Sequence, residues 1–397
     1  MYLVIGVRWR GPQRVAGAEC AQSRALRADG VHGTGVVVVA ALVAAALCVL
    51  LVAVCVLLWT WRAATEAAAR LGQCARAGRG RLQGLGMEIA RLCAAMGARV
   101  TLVARREHVL RQAAEELLAQ LEADSGAGIP AGRTASSAAS RASEKASDLA
   151  QRIQVVVCDC SVFAECEAMV SKAEQLQGGA PVDVLFCMAG AAQLGYFEQL
   201  SPDTFERAMR ANYYSALYPA RAVIPGMMRR ARGEILFGNS MLGVMGMFGA
   251  TPYVAAKWAL RGLAESLYFE LRPHNIRVTQ LFAPDMDTPG YREEMKTKPK
   301  EMKLMSEGQI YNTAAVARSA VRAVTNGELR ASHGSDGFLL TALTAGFAPE
   351  IRPREVLLAS LLRLVTPFFH ADYLRIIREC QRERESEKTT PALTARA

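Results

Sequence analysis

"EILFGNSMLGVMGMFGATPYVAAKWALRGLAESL", residues 234–267, decides the fold. Its first seven residues are a short apolar run closed by Gly-Asn-Ser, the mark of a buried strand ending in a turn. From Thr251 the apolar residues recur at helical spacing instead. On that helix Tyr253 and Lys257 stand four positions apart, on one face. A lysine there could snorkel past apolar packing. It could equally be an ammonium that holds down the pKa of a phenolic proton donor.

Reading outward, the strand–helix unit repeats. "RVTLVAR" (99–105), "IQVVVCD" (153–159), "VDVLFCMAG" (182–190) and "IRVTQLFAPD" (276–285) are further β-rich runs with helical stretches between them. Such alternation predicts an α/β fold, a Rossmann-like doubly wound parallel sheet, over residues 75–345. Between the 99–105 and 153–159 runs, "DSGAGIPAGRTASSAASRASEKASD" (124–148) is rich in Ala, Ser and Gly and reads as a flexible surface insertion.

The flanks have a different composition. Of the 397 residues, 51% are hydrophobic, high for a soluble chain. Val36 to Trp59 is an unbroken run of 24 apolar residues. At 1.5 Å per residue it would reach about 36 Å, enough to cross a bilayer, and predicts a transmembrane helix behind a basic segment, 1–35. A second apolar stretch, "VLLASLLRLVTPFF" (356–369), is interrupted by Arg363 and Pro367. It predicts a membrane-associated segment lying at the interface or re-entering, within a C-terminal region 350–397 whose tail is solvated.

Ten cysteines run from Cys20 to Cys380 without a CxxC pair, which argues against a disulfide framework and a zinc site and suits reduced thiols. Cys158 and Cys160 read as two packed thiols. The net charge of +10, from 47 Lys and Arg against 37 Asp and Glu, is dispersed and lacks aromatic–basic interleaving. No nucleic-acid partner is therefore expected. An anionic membrane surface or a phosphate-bearing cofactor accounts for the excess.

In an open α/β sheet, ligands bind at the carboxyl ends of the strands, so the polar residues there are informative. "RGRLQGLG" (79–86) supplies Gly80, Gly84 and Gly86 ahead of a helix, where backbone N–H groups can approach a pyrophosphate. Arg105 and Arg106 follow the 99–105 run, where arginine suits a 2′-phosphate and favours NADPH over NADH. Asp159 could accept a bond from an adenine amine, or simply cap a turn. Ser240 closes the 234–240 run, and Asn212 lies in "RANYYSALYPARAV".

The series Gly80-x-x-x-Gly84-x-Gly86, Asp159, Ala189-Gly190, Asn212, Ser240, Tyr253-x-x-x-Lys257 resembles the short-chain dehydrogenase/reductase family. "APDMDTPGYREEMKTKP" and "GSDGFLLTALTAGFAP" resemble the branch that reduces long-chain sphingoid keto bases. The resemblance implies a catalytic set of Ser240, Tyr253, Lys257 and Asn212. Tyr253 would be the general acid toward the C3 ketone, Lys257 would lower its pKa and hold the nicotinamide ribose, Ser240 would bond the carbonyl, and Asn212 would hold a relay water. Gly80, Gly84, Gly86, Arg105, Asp159 and Gly190 would join Tyr253 and Lys257 in binding NADPH. The implied reaction is NADPH-dependent reduction of 3-ketosphinganine to sphinganine. The implied setting is the endoplasmic reticulum membrane, with the catalytic domain facing the cytosol; the family also allows a homodimer.

Three departures are visible. The stretch before the glycines, "TEAAARLGQCARAG", does not read as the hydrophobic first strand the family places there, so the sheet's central strand is expected to be missing. Arg79, Leu82 and Gln83 stand where the family has threonine and serines, and Cys187 stands in an asparagine's place. Divergence, or an exon boundary misplaced within residues 61–84, would account for the first. A membrane-anchored steroid or retinoid dehydrogenase, and a lipid-binding scaffold with a degraded cofactor loop, are the competing readings.

Overall fold

The computed structural model describes residues 3–7, 84–126, 151–306, 308, 310–346, 348–350 and 353–389. The apolar run 36–59, Gly80 and most of the 124–148 insertion lie outside the described residues. In chain order the elements are β1 (Leu3–Val7), α1 (Leu85–Ala95), β2 (Arg99–Ala104), α2 (Glu107–Gly126), β3 (Ile153–Val157), α3 (Phe163–Leu176) and β4 (Val182–Cys187). There follow α4 (Pro202–Met209), a π-helical turn (Arg210–Tyr214), α5 (Ser215–Arg229), β5 (Gly233–Ser240), α6 (Thr251–Leu271) and β6 (Ile276–Ala283). The chain continues through α7 (Pro289–Thr297), α8 (Lys300–Met305), α9 (Thr313–Asn326), β7 (Arg330–Ser332), α10 (Gly334–Leu343) and α11 (Pro353–Thr389).

Seven strands form one sheet in the order β3-β2-β1-β4-β5-β6-β7. Each face carries its own core. Ile89 and Cys93 of α1, Leu110 and Leu117 of α2, and Val316 and Ala320 of α9 pack on one side. Met169 of α3, Ala220 of α5 and Leu260 of α6 pack on the other. Cys158, Cys160 and Cys166 are buried in that second core.

The expectation of an all-parallel sheet with an empty centre is corrected in a specific way. β2 and β3, and β4 through β7, pair in parallel. The central slot is filled by β1, which runs antiparallel to both neighbours, with Val4 opposite Leu102 on one side and Phe186 on the other. Strands sit about 4.8 Å apart, so a vacant slot would strand the facing N–H and C=O groups of both β2 and β4. Leu-Val-Ile-Gly-Val, rich in β-branched residues, satisfies both edges at once. The strand thus comes from the segment read as a basic leader. Running in reverse, it does not lead into Gly84 as a parallel first strand would.

The C-terminal region has a definite secondary structure. Its described part from Pro353 to Thr389 is one helix of 37 residues that runs through Pro367. Two clusters hold it. Near its start Arg330 pairs with the buried Glu355. Farther along, Arg384 meets the fully buried Glu301 of α8 at 2.8 Å, stacks on Tyr196, and lies beside a Lys300–Glu383 pair at 2.5 Å. Between them, Leu364, Phe368 and Phe369 are 69%, 75% and 59% exposed. Among the described residues no helix is long and apolar enough to cross a membrane.

Candidate active site

The carboxyl end of β5 starts the site. Asn239, 3% exposed, donates through Nδ2 to Lys257 O and Gln280 Oε1, each at 3.3 Å, and its Oδ1 accepts the Ser240 N–H at 2.8 Å. One buried amide thereby fixes the end of β5 against α6 and β6, the kind of packing that holds a reactive side chain in register. A Cβ on Gly243 would lie 2.3 Å from Asn239 Oδ1, so the turn after Ser240 needs glycine there.

α6 presents Tyr253 and Lys257 from its first turns, on one face as the spacing predicts. Lys257 is 3% exposed, donates through Nζ to Gly238 O at 2.8 Å, and stands 5.5 Å from the centre of the Tyr253 ring. The Ser240 side chain lies near enough to the Tyr253 phenol to favour its ionised form. Ser240 Oγ accepts the Leu242 N–H at 3.2 Å, which orients it. Ser240, Tyr253 and Lys257 therefore come together.

The electrostatics differ from the expected pattern. Burial, with Glu294 and Asp285 nearby, pushes the Tyr253 phenol above its ordinary value, against the smaller lowering by the Ser240 side chain. Lys257, rather than pulling the phenol down, is itself pushed down to about 8 by burial, with Glu294 opposing. Desolvation disfavours both charged forms and here outweighs their mutual attraction. Tyr253 is thus held protonated, the form a general acid needs.

Asn212 is also brought in, with its side chain bonded to the loop after β4. It sits on the π-helical turn, a distortion often found at functional sites, and is fully buried. Its Nδ2 donates to Ala191 O and Ala208 O, both at 2.9 Å, and its Oδ1 accepts Ala191 N–H at 3.1 Å. The amide pins the loop after β4. That loop lies close to the lysine: a Cβ on Gly190 would sit 2.7 Å from Asn212 Oδ1 and 3.4 Å from Lys257 Nζ. Cys187, in the family's asparagine position, is buried with Sγ 3.6 Å from Ala216 O, inside the core and away from the loop.

The remaining expected residues form a second group on the β2–β3 side. Arg105, largely exposed, lies 3.8 Å from Asp159 Oδ2. Ser161 donates to Asp159 Oδ1 from its N–H at 2.9 Å and its hydroxyl at 2.7 Å. Together with Arg105, these bonds hold the Asp159 carboxyl below its usual range despite partial burial. Gly84 is the N-cap of α1 with no side-chain cap, and Gly86 is buried in its first turn. Among the described residues no side chain caps the start of α1, and its Met87 N–H turns back to Gly84 O at 2.9 Å.

A lid covers the catalytic group. Gly195 N–H bonds Gly249 O at 2.9 Å, tying the loops after β4 and β5. A Cβ on Gly249 (φ +74°) would come 2.6 Å from Pro299, between α7 and α8. Leu194, Ala250 and Met302 form a small apolar cluster there, with Leu242, Met247 and Val254 against it. From α7, the half-buried Glu294 lies near enough for its charge to act on Tyr253 and Lys257. Neither Asn239 nor Glu294 was singled out from sequence. The Gly-Asn-Ser strand end could have flagged the first; nothing local marks the second.

Comparison with known proteins agrees with this arrangement. A family model described as short chain dehydrogenase matches residues 118–299. A Danio rerio protein called 3-dehydrosphinganine reductase is 37% identical over 315 residues, covering 77% of this chain and 86% of its own. A Bos taurus protein called 3-ketodihydrosphingosine reductase is 36% identical with the same coverage. Among solved structures, a short-chain dehydrogenase from Streptomyces avermitilis aligns with a TM-score of 0.50 at 21% identity, covering 78% of this chain and 96% of that one. An NADPH-bound short chain oxidoreductase from Pseudomonas aeruginosa PAO1 aligns with a TM-score of 0.50 at 19% identity, covering 64% and 94%. These two share the fold.

Proposed function

The chain belongs to the short-chain dehydrogenases and, within them, to the 3-dehydrosphinganine reductases, and from that membership we propose that it reduces 3-ketosphinganine to sphinganine with NADPH. The observation that carries the reading is the meeting of Tyr253, Ser240 and Lys257 at the carboxyl end of β5, beside a loop held open by Gly190.

The residues fit a nicotinamide dinucleotide. The uncapped start of α1 suits a pyrophosphate, Gly190 keeps side-chain bulk away from Lys257, and the exposed Arg105 suits a 2′-phosphate. Bound NADPH would supply the hydride to the C3 carbon. As the carbonyl π bond opens, the oxygen gathers negative charge and becomes a far stronger base than a phenolate. Tyr253 delivers its proton to that oxygen, and Ser240 donates a hydrogen bond to it. Lys257, charged below its depressed pKa, stabilises the phenolate left on Tyr253 until solvent reprotonates it.

The direct test is to incubate the protein with 3-ketosphinganine and NADPH and follow sphinganine. Turnover supports the reading. Binding of the keto base without turnover would favour the scaffold alternative, to which the reversed β1 and altered glycine loop lend some weight.

Arg105 sets a second expectation. Arg105→Ala should raise the KM for NADPH and leave that for NADH nearly unchanged. A charge-assisted phosphate bond is worth about 1.5–3 kcal/mol, or roughly ten- to hundredfold. Equal effects on both cofactors would assign Arg105 to its contact with Asp159 instead.

We also propose attachment to the endoplasmic reticulum membrane with the catalytic domain in the cytosol. Exposed Leu364, Phe368 and Phe369, on a helix tied down on either side of them, support contact with a lipid surface. A polarity-sensitive fluorophore on Phe368→Cys should shift to the blue when the full chain is reconstituted in phospholipid vesicles. An unshifted emission would mean that this face stays in water.

A further inference from the structure

Glu301 on α8 is a carboxylate with no exposure to solvent, and the reaction does not use it. Segments remote in sequence meet at it. Tyr196, in the loop after β4, donates its hydroxyl to Oε2 at 3.1 Å. Arg384, near the end of α11, brings Nη2 to 2.8 Å from Oε1. No N–H is aimed along a hydrogen bond at Oε1, so the charge of Arg384, more than its alignment, balances the carboxylate. The same guanidinium lies 4.6 Å from the centre of the Tyr196 ring. That ring meets Phe248, in the loop after β5, edge-on at 6.0 Å between centres. Cys380, one turn earlier on α11, is 3% exposed, so this end of the helix is packed against the protein.

The segments tied here are those that cover the catalytic group. Met302, the next residue of α8, packs with Leu194 and Ala250, and Leu242 and Val254 lie against that cluster. Leu242 stands two residues after Ser240, and Val254 directly follows Tyr253. Pro299, the N-cap of α8, fills the space where Gly249 has no room for a side chain. With one residue α8 thus touches the neighbours of the reacting groups, and with the residue before it α11. Without Arg384, Glu301 would keep the tyrosine hydroxyl but lose the cation that balances its buried charge. An uncompensated buried carboxylate is driven to turn toward water, which would draw α8 off the cluster. We propose that Arg384 is a positioning residue: through Glu301 it clamps α8, and with it the loops after β4 and β5, over the catalytic group. The end of the C-terminal helix then forms the outer wall of the substrate site. The tie is read from geometry alone; that it encloses a keto base rests on the reductase reading above.

The test compares full-length wild type with Arg384→Met, which keeps the apolar stem, and Arg384→Lys, which keeps the charge. Amide hydrogen–deuterium exchange reads the clamp without any substrate. In Arg384→Met, amides of 194–200, 247–250 and 300–305 should exchange about ten- to hundredfold faster, the range of one charge-assisted contact. Amides of β4 and β5 should keep their wild-type rates. In Arg384→Lys the three segments should stay close to wild type, because a point charge suffices. KM for 3-ketosphinganine should rise in Arg384→Met by the same range, with KM for NADPH unchanged. Faster exchange confined to α11 would make the pair a tie for that helix alone and overturns the proposal. So do wild-type rates in Arg384→Met, or equal acceleration throughout the fold. Loosened lid segments in a variant whose wild-type parent reduces no 3-ketosphinganine would support the clamp and overturn only the reductase reading.

Discussion

Tyr253→Phe should lower turnover of 3-ketosphinganine about 10²–10⁴-fold, the usual contribution of a positioned general acid, while the protein stays folded and still binds NADPH. The substitution keeps the ring, and with it the packing and the face toward Lys257 at 5.5 Å. What it removes is one hydroxyl beside Ser240. The developing alkoxide would then meet the Ser240 hydroxyl alone. Ser240 can share a hydrogen bond but is a much weaker acid, and its oxygen already accepts the Leu242 N–H. The raised pKa of Tyr253 sharpens the expectation. Because the phenol keeps its proton through and beyond the physiological range, loss of this proton should cause no alkaline fall in the reduction profile of the wild type. A folded Tyr253→Phe protein with near-normal ketone reduction would mean that Tyr253 is a packing residue and that the mechanism is wrong.

Why Tyr253, Lys257 and Ser240 could be read from sequence while Glu294 could not is a matter of how each is placed. The first three lie on one strand–turn–helix block, where strand and helix periods alone bring Ser240 to the start of α6 and set Tyr253 and Lys257 on one face. Glu294 reaches them only because the lid folds back through Pro299 onto Gly249, a tertiary contact that no local pattern records. The same distinction runs through the fold. β2 to β6 are compact apolar runs, and each starts within a residue of its expected place. β1 is a good strand former whose partners are remote, and nothing in Leu-Val-Ile-Gly-Val says that two edges will be waiting for it. β7 is three residues long and carries no period. Pro367 misled in the opposite direction. One lost backbone bond costs the long C-terminal helix a few kcal/mol, and the ion pairs of Glu355 and Glu301 with Arg330 and Arg384 hold it regardless.

Lys257→Met should do damage on the same scale as the tyrosine change and leave a second, pH-dependent trace. The ammonium serves the phenolate that forms on Tyr253 and, in the proposed complex, the nicotinamide ribose. Two charge-assisted contacts at about 1.5–3 kcal/mol each correspond to roughly 10²–10⁴-fold in kcat/KM, with cofactor affinity weakened as well. Burial places the Lys257 pKa at about 8, so the charge that does this work is present below that pH and fades above it. Wild-type kcat/KM should therefore decline as pH rises past 8, and the low residual activity of Lys257→Met should not. Stability should move the other way. The unfolded lysine titrates near 10.5, so between about 8 and 10.5 the unfolded chain holds a proton that the folded chain has released. Stability then rises with pH across that window. Below it both states are protonated, and the folded state carries the full cost of a buried charge, about 3 kcal/mol for a shift of that size. Methionine cannot titrate. The wild type should thus gain about 3 kcal/mol on Lys257→Met between pH 8 and 10.5, read from urea unfolding of the two proteins side by side. If that difference stayed flat with pH, Lys257 would be charged throughout, and its contact with Gly238 O would be a structural tie with no depressed pKa behind it.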